Sequence, residues 1–185
     1  MRELSLNVLD IAQNSIAAGA SLTEILVKED TEEKTLLIGI YDNGKGMTPE
    51  QVENVKDPFF TTRTTRKVGM GIPLFKLAAE QTGGCVEVTS RHESEFPEDH
   101  GTKTMATFYK KHIDFTPMGD IISTVTTLIQ GSPDIDFEFR HTSNTFEVSL
   151  DTREVREVLG PEIPLCEPEI LSWIADNLSE QYKNI

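Results

Sequence analysis

Cysteine is nearly absent from this chain. Cys85 and Cys166 are the only two in 185 residues, and they lie far apart with no metal-binding or redox spacing. That excludes a disulfide framework and a cysteine-ligated metal site, and leaves two ordinary thiols. Long apolar runs are missing too: none approaches the ~20 residues that cross a bilayer. The opening residues, Met1-Arg2-Glu3-Leu4-Ser5-Leu6-Asn7, carry no secretory pattern, so a cytoplasmic protein is expected. Positive charge is scarce, with 17 Lys/Arg against 31 Asp/Glu and a net charge of −14. The imbalance is uneven. Residues 1–111 hold 13 basic and 17 acidic side chains, a net −4, whereas residues 112–185 hold 4 and 14, a net −10. An acidic surface repels nucleic acid and anionic membrane, so neither is an expected partner. The acidic C-terminal part suits a basic protein partner or simple solubility. There is no internal repeat and no low-complexity tract. The length suffices for one domain with a small appendage.

What is present begins with Asp42-Asn43-Gly44-Lys45-Gly46-Met47, at the end of the apolar run Thr35–Tyr41. The run reads as a buried strand. A carboxylate thus arrives at a strand end, followed by two glycines that permit close backbone approach. Alone, Asp-Asn-Gly is turn chemistry. It has company: Asp10 and Asn14 upstream, at i and i+4 on a predicted helix, and Pro58-Phe59-Phe60-Thr61-Thr62-Arg63 and Gly69-Met70-Gly71-Ile72-Pro73-Leu74 downstream. Turns do not explain four such elements in this order.

In these four motifs the chain resembles the GHKL superfamily of ATP-binding domains, shared by DNA gyrase, heat-shock chaperones, histidine kinases and mismatch-repair ATPases. Asp10 to Ala20 is similar to the family's N-box, and Asp42 to Met47 to its first glycine box. Asp57 to Arg63 resembles the phenylalanine box, and Gly69-Met70-Gly71 the second glycine box. Gly101-Thr102 closes the set. The resemblance covers roughly residues 1–110 and is closest to histidine-kinase-like domains and anti-sigma-factor-type kinases. It implies an α+β fold: a two-layer α/β sandwich of the Bergerat type, with a mixed sheet covered by helices on one face. It also implies ATP and Mg²⁺ as cofactors.

Each motif has a chemical task under that resemblance. Asp42 accepts from the exocyclic amine of adenine, with Gly44, Gly46 and Met47 beside the base and Thr102 lining the pocket. Asn14 offers a hard amide oxygen for Mg²⁺. Asp10 stands where ATP-hydrolysing relatives carry a Glu general base and histidine kinases carry Asn. It keeps the carboxylate but matches neither, which leaves hydrolysis open. Asn7 extends the same stripe; it could bind a water, but reads first as a plain surface amide. Gly69, Met70 and Gly71 precede a helix whose free N–H groups suit phosphate. Phe59, Thr61, Thr62, Arg63, Arg66 and Lys67 belong to a polar segment that reads as a mobile lid over the β- and γ-phosphates.

The pattern predicts a helix over 3–18, with Leu9, Ala12 and Ile16 facing the core. It predicts a hairpin over 23–29 and 35–41, a short helix from 48, a helix over 72–81, and strands over 85–91 and 102–109. Residues 1–111 form the expected ATP-binding domain. Residues 112–185 read as an acidic α+β extension: helix 117–130, hairpin 135–141 and 144–150, helix 151–159, a stiff Pro161/Pro164/Pro168 linker, and a last helix over 169–182.

Only nine residues precede Asp10, so a phosphoacceptor hairpin before it is not expected. A complete sensor kinase is therefore not expected. His92, His100, His112 and His141 all follow the ATP motifs outside any phosphoacceptor context. Three classes stay open: a stand-alone kinase or switch acting on a protein partner, an ATPase, and a non-catalytic nucleotide-gated module. Nothing in the sequence fixes the oligomeric state.

Overall fold

The computed structural model describes residues 3–55 and 71–184. Phe59, Thr61, Thr62, Arg63, Arg66, Lys67, Gly69 and Met70, with the expected lid, lie outside them. Twelve elements follow one another among the described residues: α1 (Leu4–Ala17), β1 (Leu22–Asp30), β2 (Thr35–Asp42), α2 (Pro49–Asn54), α3 (Gly71–Gln81), β3 (Cys85–Arg91), β4 (Gly101–Tyr109), α4 (Ile121–Gly131), β5 (Asp136–Thr142), β6 (Glu147–Asp151), α5 (Thr152–Leu159) and α6 (Pro168–Lys183).

Six strands make one sheet in the order β3-β4-β2-β1-β5-β6. Every pairing is antiparallel except β1 with β5, so the sheet is mixed as expected. Strand residues alternate in burial. Ile25 and Val27, Val86 and Val88, Thr104, Ala106 and Phe108, Phe137 and Phe139, and Val148 and Leu150 are buried, while most of their neighbours in sequence are not. Period-two burial means one face is covered and the other faces water. Leu4, Val8 and Ile11 of α1, Phe75 of α3, Val125 and Ile129 of α4, and Ile174 and Leu178 of α6 join the strand residues in one core.

Local signals explain the element ends. The β1–β2 turn is an Asx turn, with Asp30 Oδ1 accepting from the N–H groups of Glu32 and Glu33, both at 2.9 Å. A Thr48/Gln51 capping box opens α2. Asp120 caps α4 by accepting from Ser123 N at 2.9 Å. That helix starts at Ile121, four residues later than the apolar period predicts. Gly119 has φ +77°, a left-handed conformation that interrupts the helix before Asp120. The residues ahead of it run to the N-terminus instead: Leu4 and Ser5 donate their N–H groups to Pro117 O at 2.9 Å and Met118 O at 2.8 Å. The Pro-rich segment holds Leu165, fully buried, so it is anchored by roughly 2 kcal/mol of apolar burial rather than being a bare spacer.

At one end of the sheet a charged cluster ties four elements together. Lys110 pairs with Glu29 of β1, and His141 Nε2 of β5 lies 3.3 Å from the other Glu29 oxygen. His141 Nδ1 lies 2.7 Å from the hydroxyl of Tyr182 on α6. A carboxylate accepts only, so Nε2 carries the proton and Nδ1 accepts from Tyr182. Burial holds the His141 value below the ordinary histidine range, with Glu29 opposing it. Burial pushes Glu29 up, but Lys110 and His141 together leave it below the ordinary carboxylate value. Burial, then Glu29, raises Tyr182.

Candidate functional site

The opposite end of the sheet carries the Asp42–Met47 motif and Gly101-Thr102. Asp42 closes β2, and its carboxylate is held from two sides. Ser15 Oγ of α1 donates to Oδ2 at 2.8 Å, and Gly44 N donates to Oδ1 at 3.0 Å. A carboxylate offers about four acceptor positions, so these two bonds fix its plane and leave acceptor capacity for an amine. Thr102 pairs with Asp42 across the β2–β4 ladder.

Asn43 is a brace that the sequence shows only as a turn residue. Its Oδ1 accepts from Ser21 N at 2.9 Å and Leu22 N at 3.0 Å, and its Nδ2 donates to Ser21 Oγ at 2.8 Å. The end of β2 is thereby sewn to the start of β1. Gly44 is buried, and a Cβ there would meet Ala18 Cβ at 2.9 Å. Gly46 has φ +70°, and its Cβ would lie 1.9 Å from Arg91 O. In this structure both glycines let the loop press on the protein's own backbone.

Two further residues shape this loop. Ser90 Oγ accepts from Met47 N, donates to Gly101 O and shares a hydrogen bond with Thr102 Oγ1, all at 2.8 Å. His100 Nδ1 lies 2.6 Å from Gly44 O. A carbonyl only accepts, so Nδ1 carries the proton. Lys45 N donates to Ala18 O at 3.0 Å, so the Gly44–Lys45 peptide is pinned at both its carbonyl and its N–H. No sequence signal marks Ser90 or His100, because neither belongs to a local motif; their roles come from the β3–β4 pairing.

Asp10 and Asn14, both half-buried, lie one turn apart on α1. The start of α3 reaches them: a Cβ on Gly71 would lie 3.4 Å from Asp10 Cβ and 3.6 Å from Asn14 Nδ2. Glycine at this position lets the start of α3, whose first-turn N–H groups have no partner within the helix, come against that polar face. Asp42, with Gly44 bonded to it, is thus linked through α1 to Asp10, Asn14 and Gly71, while Met47 and Thr102 meet at Ser90 and Thr102 pairs with Asp42 across the sheet. Asn7, read from the sequence as a surface amide, is fully buried. The core stripe of α1 is Leu4, Val8, Ile11, Ala12 and Ser15, rotated from the predicted Leu9/Ala12/Ile16 face.

Asp42 is thus bonded to α1, and the Asp10/Asn14 face of that helix lies against the start of α3. Residues 1–112 match the family described as histidine kinase-, DNA gyrase B-, and HSP90-like ATPase, and the chain belongs to that family. It carries the family's ATP-binding domain, similar to the catalytic domains of histidine kinases. Among curated proteins it is similar to the sensor histidine kinase ZraS of Salmonella typhi, 31% identical over 84 residues, which are 45% of this chain and 18% of ZraS. The match therefore spans less than a fifth of that relative. Among solved structures, the N-terminal domain of a DNA repair protein aligns with a TM-score of 0.57 at 17% identity, covering 87% of this chain and 58% of that one. The Aquifex aeolicus MutL ATPase domain complexed with ADP aligns with a TM-score of 0.50 at 16% identity, covering 86% and 69%. At such identities these two show the fold. Among the described residues, no helix is long and apolar enough to cross a membrane.

Proposed function

We propose that this chain binds ATP with Mg²⁺ and serves as a regulatory, histidine-kinase-like or anti-sigma-factor-like kinase acting on a separate protein in the cytoplasm. The observation that carries the reading is the Asp42 carboxylate, locked between Ser15 Oγ at 2.8 Å and Gly44 N at 3.0 Å with acceptor capacity to spare. Adenine presents an exocyclic amine where guanine has a carbonyl, so a fixed acceptor selects it. Gly44, Gly46 and Met47 border the base, and Thr102 lines its far side.

The donor set fits a magnesium nucleotide. Asn14 supplies a hard oxygen, and Gly71 brings the start of α3, a helix end suited to phosphate, to the same face. Bound Mg²⁺ would neutralise phosphate charge there. Gly69 and Met70, with Phe59, Thr61, Thr62, Arg63 and Lys67, complete the phosphate side in this reading. Asp10 orients and deprotonates the attacking hydroxyl or water. The separate protein is a basic one, matched to the net −10 of residues 112–185. A second reading, an ATPase or nucleotide-gated module, draws on the carboxylate at position 10. Incubation with γ-labelled ATP and Mg²⁺ separates them. Label on a co-purified protein supports the kinase, released phosphate alone supports the ATPase, and binding without either supports the module.

A further inference from the structure

The connection between β3 and β4 returns to the glycine loop at both of its ends. Glu93 N donates to Lys45 O at 2.9 Å, and His100 Nδ1 donates to Gly44 O at 2.6 Å. Two consecutive carbonyls are thus held by the two ends of one segment. Within it, turns closed on His92 O and Phe96 O and an Arg91–Asp99 ion pair set its course. A Cβ on Gly101 would lie 2.0 Å from Asp42 O, so the residue after His100 is pressed against the strand end that carries the site.

Gly44 is the weak point of that site. Glycine has the freest backbone of any residue, yet Gly44 N has to aim at Asp42 Oδ1, which it meets at 3.0 Å. The Gly44–Lys45 peptide that follows is held on both edges, by His100 at its carbonyl and by Ala18 O, 3.0 Å from Lys45 N. Without the imidazole one hold remains. The peptide can then rock about it, and the Gly44 N–H turns with it. We propose that His100 is a positioning residue for adenine recognition: by holding the Gly44 carbonyl it keeps the Gly44 N–H on Asp42 and the spare acceptor of that carboxylate aimed at the base. This rests on the reading of Asp42 as the adenine acceptor.

The chemistry of the ring suits the task. Gly44 is buried, so its carbonyl needs a donor. The carbonyl places the proton of a neutral imidazole on Nδ1, and a charged ring keeps it there. The hold therefore survives a change in the charge of the ring. A carboxylate fixed before binding spares the nucleotide the cost of ordering it. The benefit reaches only ligands that offer an amine to that carboxylate.

The test is titration calorimetry on the full chain with Mg²⁺, comparing ATP with GTP, which presents a carbonyl where adenine has its amine. His100→Ala should weaken ATP binding about fivefold, the scale of one hydrogen bond, and leave GTP binding where it was. His100→Asn, whose side-chain amide puts a donor close to the position of Nδ1, should recover most of the ATP affinity. In an Asp42→Asn background, His100→Ala should cost nothing more. ¹⁵N NMR should find the neutral His100 ring protonated at Nδ1. A ring protonated at Nε2 alone overturns the inference. So does an equal proportional loss for ATP and GTP, which marks a general loosening of the fold. A wild type without ATP affinity, or one indifferent to Asp42→Asn, sinks the reading of Asp42 and this inference with it. ATP binding that falls in Asp42→Asn but not in His100→Ala sinks the inference alone.

Discussion

The two ends of the β1–β2 hairpin are both polar, yet they are built on opposite principles. At the Glu29 end, Lys110, His141 and Tyr182 use one another's donors and acceptors, and α6 is tied to the sheet as a result. At the Asp42 end, Ser15 and Gly44 N fix the carboxylate without saturating it, and Gly44 and Gly46 let the loop lie tight against Ala18 and Arg91. A polar cluster that closes on itself is a joint. One held rigid with acceptor capacity left over can take a ligand's donor. Perturbed titration usually flags function, but here the buried histidine with a lowered value belongs to the joint.

The comparison can be broken most severely at Gly46. With φ +70° and Arg91 O only 1.9 Å from a Cβ, Gly46→Ala should cost about 3 kcal/mol or more in urea unfolding, combining backbone strain with overpacking. Gly131→Ala, where a Cβ would meet nothing within 4 Å, should instead be neutral or slightly stabilising. Asp10→Asn keeps the shape and removes the proton acceptor. It should leave ATP affinity nearly intact while cutting turnover roughly 10²-fold in a phosphate-release assay. At the joint, Lys110→Met should lower stability by about 1–2 kcal/mol, the contribution of a charged hydrogen bond discounted because Lys110 is one-third exposed, and calorimetry should find ATP affinity unchanged.

A smaller effect comes from pH. The unfolded chain takes a proton on His141 at its ordinary value, whereas the folded chain resists until lower pH. Stability is therefore full above pH 6.5 and falls as pH drops toward the folded value. Below 4.5 the lowered Glu29 value adds a second loss in the same direction. Melting should occur at lower temperature at pH 5.5 than at 7.5. His141→Gln should flatten that difference without touching ATP binding.

Much of this was legible in the sequence because period and punctuation are local. The apolar run ending in Asp42, the Thr48-Pro49 start of α2 and the Gly83-Gly84 stop after α3 all announce themselves. Long-range placement does not. The left-handed Gly119 shortens α4, and no apolar period reports it. Asn7 looks solvent-facing on a helical wheel, yet packing covers it. Ser90 and His100 become part of the site only because β3 pairs with β4 and the chain between them folds onto the glycine loop. The parallel pairing of β5 with β1, which lets residues beyond 111 extend the sheet, depends on a segment more than a hundred residues away. No window of sequence contains it.

The central claim is that the Asp42 end, and not the Glu29 end, receives ATP. Titration calorimetry of ATP with Mg²⁺ into wild type, Asp42→Asn and Tyr182→Phe tests it most directly. A hydrogen bond to a charged group contributes about 1.5–3 kcal/mol, and each 1.4 kcal/mol is tenfold in affinity. Asp42→Asn should therefore weaken binding by at least about tenfold, while Tyr182→Phe matches wild type. Equal affinity in all three proteins would contradict the account.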